Sequence, residues 1–249
     1  MSLSIAFSGK GGTGKTTIAG MLIRYLLRKE ATPILAVDAD SNYNLNEVLG
    51  VEVDTTLGEV RESMKTGDMP SGMTKDRYMA TKLEEAIVET DLFDLVVMGQ
   101  PEGQGCYCAA NTLLSDFLQK LTTNYASVVM DNEAGMEHIS RLTTSNVDEL
   151  LVVSDPSRRG LQAAGRIKDL AQTLNIGASK VHLILNNVRE EPSERMRAII
   201  ADMGLELLGT VRQDDALEEF DMAGKPTFQL PEDNPAVQDA YALFQRIVG

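Results

Sequence analysis

The densest chemistry in this chain lies in eight consecutive residues, Gly9-Lys10-Gly11-Gly12-Thr13-Gly14-Lys15-Thr16, which fit the pattern G-x-x-x-x-G-K-[ST]. Glycines at that spacing let successive backbone N–H groups turn inward around a chain of phosphates. Lys15 sets a point charge at the β/γ bridge, and the Thr16 hydroxyl can ligate Mg²⁺. Thr17 continues into the helix that follows, whose N-terminus adds its own positive dipole. Downstream, Val37-Asp38-Ala39-Asp40 brings two carboxylates to the end of an apolar run, and such clustering needs a cation. A second apolar run, Val128-Val129-Met130, closes in Asp131, an arrangement that holds Mg²⁺ through water. Asn132-Glu133-Ala134-Gly135 follows, where Gly135 can offer a backbone N–H to a γ-phosphate, and Met136-Glu137-His138 extends the same segment.

The chain has two cysteines, Cys106 and Cys108, and one intervening residue makes a disulfide between them geometrically poor. They sit in Gly103-Gln104-Gly105-Cys106-Tyr107-Cys108, which points two soft thiolates toward one metal. Two ligands cannot complete a tetrahedral or square-planar shell, so a twofold dimer would supply the other pair, and four thiolates suit Zn²⁺ or Ni²⁺. His138 or His182 as a third ligand is the weaker option, and buried or merely redox-active thiols are the alternative reading.

Positioning these groups requires strands that end in loops. Apolar runs of strand length occupy Leu3–Phe7, Ile34–Val37, Leu95–Met98, Val128–Met130, Glu149–Val153, Val181–Leu185 and Leu207–Val211. Most lack polar alternation, which predicts a parallel sheet covered on both faces. Helix-spaced apolar residues mark Thr16–Arg28, Ala110–Leu121, Gly160–Leu174 and Ser193–Met203. The expected fold is α/β, a doubly wound, mostly parallel sheet, with residues 1–249 forming one P-loop domain and ligands at the strand C-termini. Val53–Thr90 shows no clear strand and is expected to form helices and loops at the surface. The 249 residues are 43% hydrophobic, enough for a sizeable core. A net charge of −14 disfavours nucleic acid and anionic membrane as partners. No membrane span or signal peptide is recognisable, and the expected location is cytoplasmic.

Lys10 turns the loop into K-G-G-x-G-K-T, and the chain thereby resembles the deviant Walker A family that contains MinD, ParA, the nitrogenase iron protein and the arsenite-pump ATPase. The resemblance implies that Lys10 reaches across a dimer interface to the partner's nucleotide and joins Lys15 and Asp40 in catalysis. It makes Asp38–Asp40 switch I and Asn132–Gly135 switch II. Asp40 matches the water-positioning aspartate, and Asp38 supports the Mg²⁺ shell with Thr16 and Asp131. It also places Asn186 on adenine, with Val211-Arg212-Gln213-Asp214 closing over the base; the family shows proline where Arg212 stands. A guanine motif N-K-x-D is absent, since Val188-Arg189-Glu190-Glu191 follows Asn186-Asn187, so ATP/ADP is the expected nucleotide.

The runs Met98-Gly99-Gln100-Pro101-Glu102-Gly103-Gln104-Gly105-Cys106-Tyr107-Cys108 and Asp131–His138 narrow the likeness to the CooC-type maturation factors of carbon monoxide dehydrogenase and their acetyl-CoA synthase counterparts. That resemblance implies an ATP-dependent nickel-insertion protein that dimerises on nucleotide and serves one of those apo-enzymes as client. Ser41 stands where that pattern has a proline. Two other classes are weighed. An iron-protein-like reductase needs two well-separated cysteines, and none follows Asp131. A MinD/ParA-type positioning ATPase needs a basic helix or surface, and Ala240–Gly249 carries only Arg246 as a basic residue.

Overall fold

The computed structural model describes residues 2–66, 72–100, 108–132, 147–173 and 178–249. Strand β1 (Leu3–Gly9) feeds helix α1 (Lys15–Arg28), and β2 (Ile34–Ala39) feeds the short α2 (Leu45–Leu49). Helices α3 (Leu57–Thr66) and α4 (Lys75–Glu85) precede β3 (Ile87–Glu89) and β4 (Asp94–Val97), then α5 (Cys108–Thr122) and β5 (Ser127–Asn132). The remainder alternates: β6 (Glu149–Ser154), α6 (Arg158–Thr173), β7 (Lys180–Val188), α7 (Glu194–Asp202), β8 (Glu206–Arg212), α8 (Asp215–Met222) and α9 (Pro235–Val248).

Among the described residues the strands form one sheet in the order β3-β4-β2-β5-β1-β6-β7-β8. Every pairing is parallel except β3 on β4. All six residues of β2, of β5 and of β6 are buried, as expected of strands covered on both faces. Side chains alternate between two cores. Ile5 and Phe7 of β1 pack with Ile18, Leu22 and Leu26 of α1 and with Val237, Tyr241 and Phe244 of α9, whereas Ala6 faces α3 to α7.

The 53–90 stretch departs from expectation twice. Ile87–Glu89 is a strand, antiparallel at the sheet edge and only three residues long, too short to show a periodicity. Its helices are also not surface decoration: Leu57, Val60, Met79 and Leu83 lie in the main core, each at most 2% exposed. Spacings of three and four residues put those few apolar groups on one face, while charged residues on the other face mask the pattern. Thr56 and Glu59 form a capping box at the start of α3, with the Thr56 N–H donating to Glu59 Oε2 at 2.7 Å and the Glu59 N–H to Thr56 Oγ1 at 3.3 Å.

Strand order decides what can meet. Because β5 lies between β1 and β2, Asp131 is in register with Phe7 on one side and with Asp38 on the other. The loop after β1 therefore faces two strand-end carboxylates. No helix among the described residues is long and apolar enough to cross a membrane.

Candidate active site

The loop between β1 and α1 is shaped by two glycines in particular. A Cβ on Gly9 would stand 2.2 Å from the Val153 carbonyl of β6, so the chain can leave the sheet there only as glycine. Gly14 has φ +83° and caps α1 with backbone alone. No side chain caps that helix start, and no acidic residue lies in its first turn. Such a terminus directs N–H groups and positive dipole at an anion. Thr13 stiffens the loop from within, its Oγ1 donating to the Lys10 carbonyl at 2.8 Å. Lys15 is buried at the base of the loop, Thr16 and Thr17 are half-buried, and Lys10, Gly11 and Gly12 are exposed.

Facing this loop, Asp131 is 2% exposed and accepts a hydrogen bond from the Thr16 side chain, while its Oδ1 has no partner. Burial pushes its pKa up to about 7, reinforced by the nearby charges of Asp38 and Asp40 and opposed by Thr16 and Lys15. A buried acid with an orphaned oxygen beside a hydroxyl is a donor pair suited to a hard cation, and Mg²⁺ fits it where phosphate oxygens and water complete the shell. Asp38 is also fully buried, which raises its pKa. Its Oδ1 accepts the Asp40 N–H at 3.0 Å, and its Oδ2 accepts those of Asn44 and Leu45 at 3.0 and 2.9 Å. Asp38 thus holds the shape of the 40–45 segment as well as facing the cation position. Asp40 is half-buried, and its Oδ1 accepts the Asn42 N–H at 2.9 Å.

Two strands away lies the base side. Asn186 is 7% exposed and its Nδ2 donates to the Thr13 carbonyl at 2.9 Å. Val211 is 1% exposed with its side chain in the core, which leaves only its main chain for a nucleotide. Arg212 stands where the resemblance has proline, and Asp239 of α9 holds its guanidinium through Nε–Oδ2 at 2.6 Å and Nη2–Oδ1 at 2.7 Å. A cavity of about 650 Å³ opens here, lined by Val188, Arg189, Arg212, Gln213 and Asp239 among others.

A family model described as the CobQ/CobB/MinD/ParA nucleotide binding domain matches residues 4–228. The chain belongs to this family. It is 42% identical over 248 residues to an uncharacterized ATP-binding protein of Methanocaldococcus jannaschii, covering 98% of each chain. To the carbon monoxide dehydrogenase accessory protein CooC of Rhodospirillum rubrum it is 33% identical over 260 residues, covering 99% of this chain and 96% of that one. The septum site-determining protein MinD of Pyrococcus horikoshii, solved complexed with Mg-ADP, superposes with a TM-score of 0.71 at 25% identity, over 99% of this chain and 96% of that one. The chain is accordingly a MinD/ParA-type P-loop ATPase.

Not every expected residue is in view. Cys106 and residues 133–138 of the anticipated switch II lie outside the described residues; Cys108 opens α5, and only its backbone is described. His182 lies within the described residues. It sits near the start of β7, at the opposite end of the sheet from the nucleotide loops, 5% exposed and 3.0 Å from Glu149. No cluster of three or more His, Cys, Asp or Glu suited to a metal occurs among the described residues. Gln100 was not anticipated: its Nε2 donates to Asn42 Oδ1 at 3.0 Å, joining the segment after β4 to the 40–45 segment. Asp40-Ser41-Asn42 is an Asx-turn signature that could have flagged the turn, but nothing local points to Gln100, 58 residues on from Asn42.

Proposed function

We propose that this ATPase is a metal-insertion factor. In this reading its nucleotide state governs pairing with a second copy of the chain, and Cys106 and Cys108 of the two copies carry Ni²⁺ or Zn²⁺ as cargo for an apo-enzyme such as carbon monoxide dehydrogenase or acetyl-CoA synthase. The observation that carries it is the Cys106-Tyr107-Cys108 sequence, whose last residue opens α5, a few residues after the Gln100 that bonds Asn42. The 33% identity to an accessory protein of carbon monoxide dehydrogenase supports it.

In this reading Lys15 and the N-terminus of α1 hold the triphosphate. Thr16 and Asp131 would hold Mg²⁺, with Asp38 and Asp40 near it directly or through water, and the ion would supply positive charge against the phosphates. Asp40 orients the water that attacks the γ-phosphorus, and the bond to the β–γ bridging oxygen breaks to leave ADP and phosphate. Lys10, exposed on the loop, reaches the nucleotide of the paired copy. Asn186 and the 211–212 backbone bound the base.

Two thiolates per chain impose a stoichiometry. Titration of Ni²⁺ or Zn²⁺ against a competing chelator is expected to give one tight metal per two chains. Loss of tight binding is expected in Cys106→Ser and in Cys108→Ser, with ATP binding retained in both. One tight metal per single chain, or tight binding that survives loss of both cysteines, overturns the shared-site reading.

A further inference from the structure

Asn186 does more in this fold than bound a base. The register of β7 against β8 shifts between Leu185 and Val188, and Asn187 takes φ +57°, a conformation that asparagine tolerates better than most residues. This kink accompanies a side chain directed back across the end of β6 to the phosphate loop, where Asn186 Nδ2 meets the Thr13 carbonyl at 2.9 Å. The contact is close on a second count: a Cβ on Gly14 would lie 2.3 Å from the same nitrogen, so Gly14 and Asn186 fit each other. Thr13 is 1% exposed, and its carbonyl would lose its amide partner if Asn186 were shortened.

A trans peptide is planar, with its C=O and N–H pointing in opposite directions. Fixing the Thr13 carbonyl toward Asn186 therefore fixes the Gly14 N–H away from Asn186, on the side of the loop that phosphates occupy. Thr13 Oγ1 pins the same residue from the other side, on the Lys10 carbonyl. We propose that Asn186 is a positioning residue for the phosphate loop, holding the Thr13–Gly14 peptide in its anion-binding orientation whatever base the ligand carries. The inference rests on the reading of this loop as the nucleotide site, and it assigns Asn186 a task distinct from reading adenine.

A ligand with no base separates the two tasks. ATP and inorganic triphosphate, each with Mg²⁺, are titrated calorimetrically into the parent, Asn186→Ala and Asn186→Asp, and thermal melting follows the fold of each. In Asn186→Ala both ligands are expected to weaken by the same factor, about tenfold. In Asn186→Asp an ionised carboxylate opposes the Thr13 carbonyl, whereas a protonated one can donate to it. Asn186→Asp keeps the volume and removes the donor, so it is expected to weaken both ligands at least as much as Asn186→Ala at about pH 8, a loss that mere packing does not produce. Weakened ATP with undiminished inorganic triphosphate makes Asn186 a base reader and overturns the proposal. So do unchanged affinities for both ligands, or an Asn186→Asp that binds both as the parent does. A parent that binds no ATP at all overturns the nucleotide reading of the loop itself, a result distinct from any of these.

Discussion

Asp131 is an acid held at the edge of ionisation. Its ordinary pKa of 3.8 is raised to about 7 by burial, so between those values the folded chain keeps a proton that the unfolded chain has released. Stability of the ligand-free protein should therefore fall as pH rises from about 4 to about 7 and then level off; Asp38, also raised by burial, slopes the same way. Mg²⁺ must displace the proton, so Mg²⁺–nucleotide affinity should fall as pH drops below about 7. Replacing Asp131 with Asn removes the titration. Melting curves across this range should show Asp131→Asn more stable than the parent by ~1–3 kcal/mol at about pH 8, with a shallower pH slope, and with Mg²⁺–nucleotide binding severely weakened. A variant whose pH slope matches the parent's would remove Asp131 from this account.

At the scale of elements, one carboxylate holds three backbone amides of the 40–45 segment at the entry to α2. Asp38→Ala strips three N–H groups of their acceptor, and the bond to Leu45 is buried, so about 2–4 kcal/mol of stability should go with it. Hydrogen exchange should report the loss locally, with faster exchange at Asp40, Asn44 and Leu45 and unchanged protection in β5 and β6. Equal protection at those three amides in parent and variant would mean that something else holds the segment. Elements themselves were legible to the degree that burial leaves a local mark. Strands such as Glu149–Ser154, apolar along nearly their whole length, are readable because both faces are covered. Ile87–Glu89 is not, since three residues at an edge carry no period. The loop motif and the Asp131 position follow from residues adjacent in sequence. The Asn186–Thr13 bond links residues 173 apart and depends on a kink in β7, which no local pattern encodes.

For the whole molecule, the proposed pairing would bring two chains, each of net charge −14, together over anionic nucleotides. A cation must enter that interface, and exposed Lys10 on the phosphate loop is placed to do so. Light scattering with a non-hydrolysable ATP analogue should show a dimer for the parent and a monomer for Lys10→Ala, with nucleotide affinity reduced only by the lost pairing. If Lys10→Ala pairs as well as the parent, its role across the interface fails.

The donors on Asp38 all belong to the main chain. Exchanging the side chains at 40, 44 or 45 for any residue but proline leaves those amides in place, and residues 41–43 contribute none of them. One aspartate at the end of β2 thus sets three backbone bonds of this stretch, while Asp40 and Asn42 add side-chain ties of their own. Ser41 in place of proline removes none of these donors, so drift at position 41 leaves the backbone held to the strand end beside the phosphate loop.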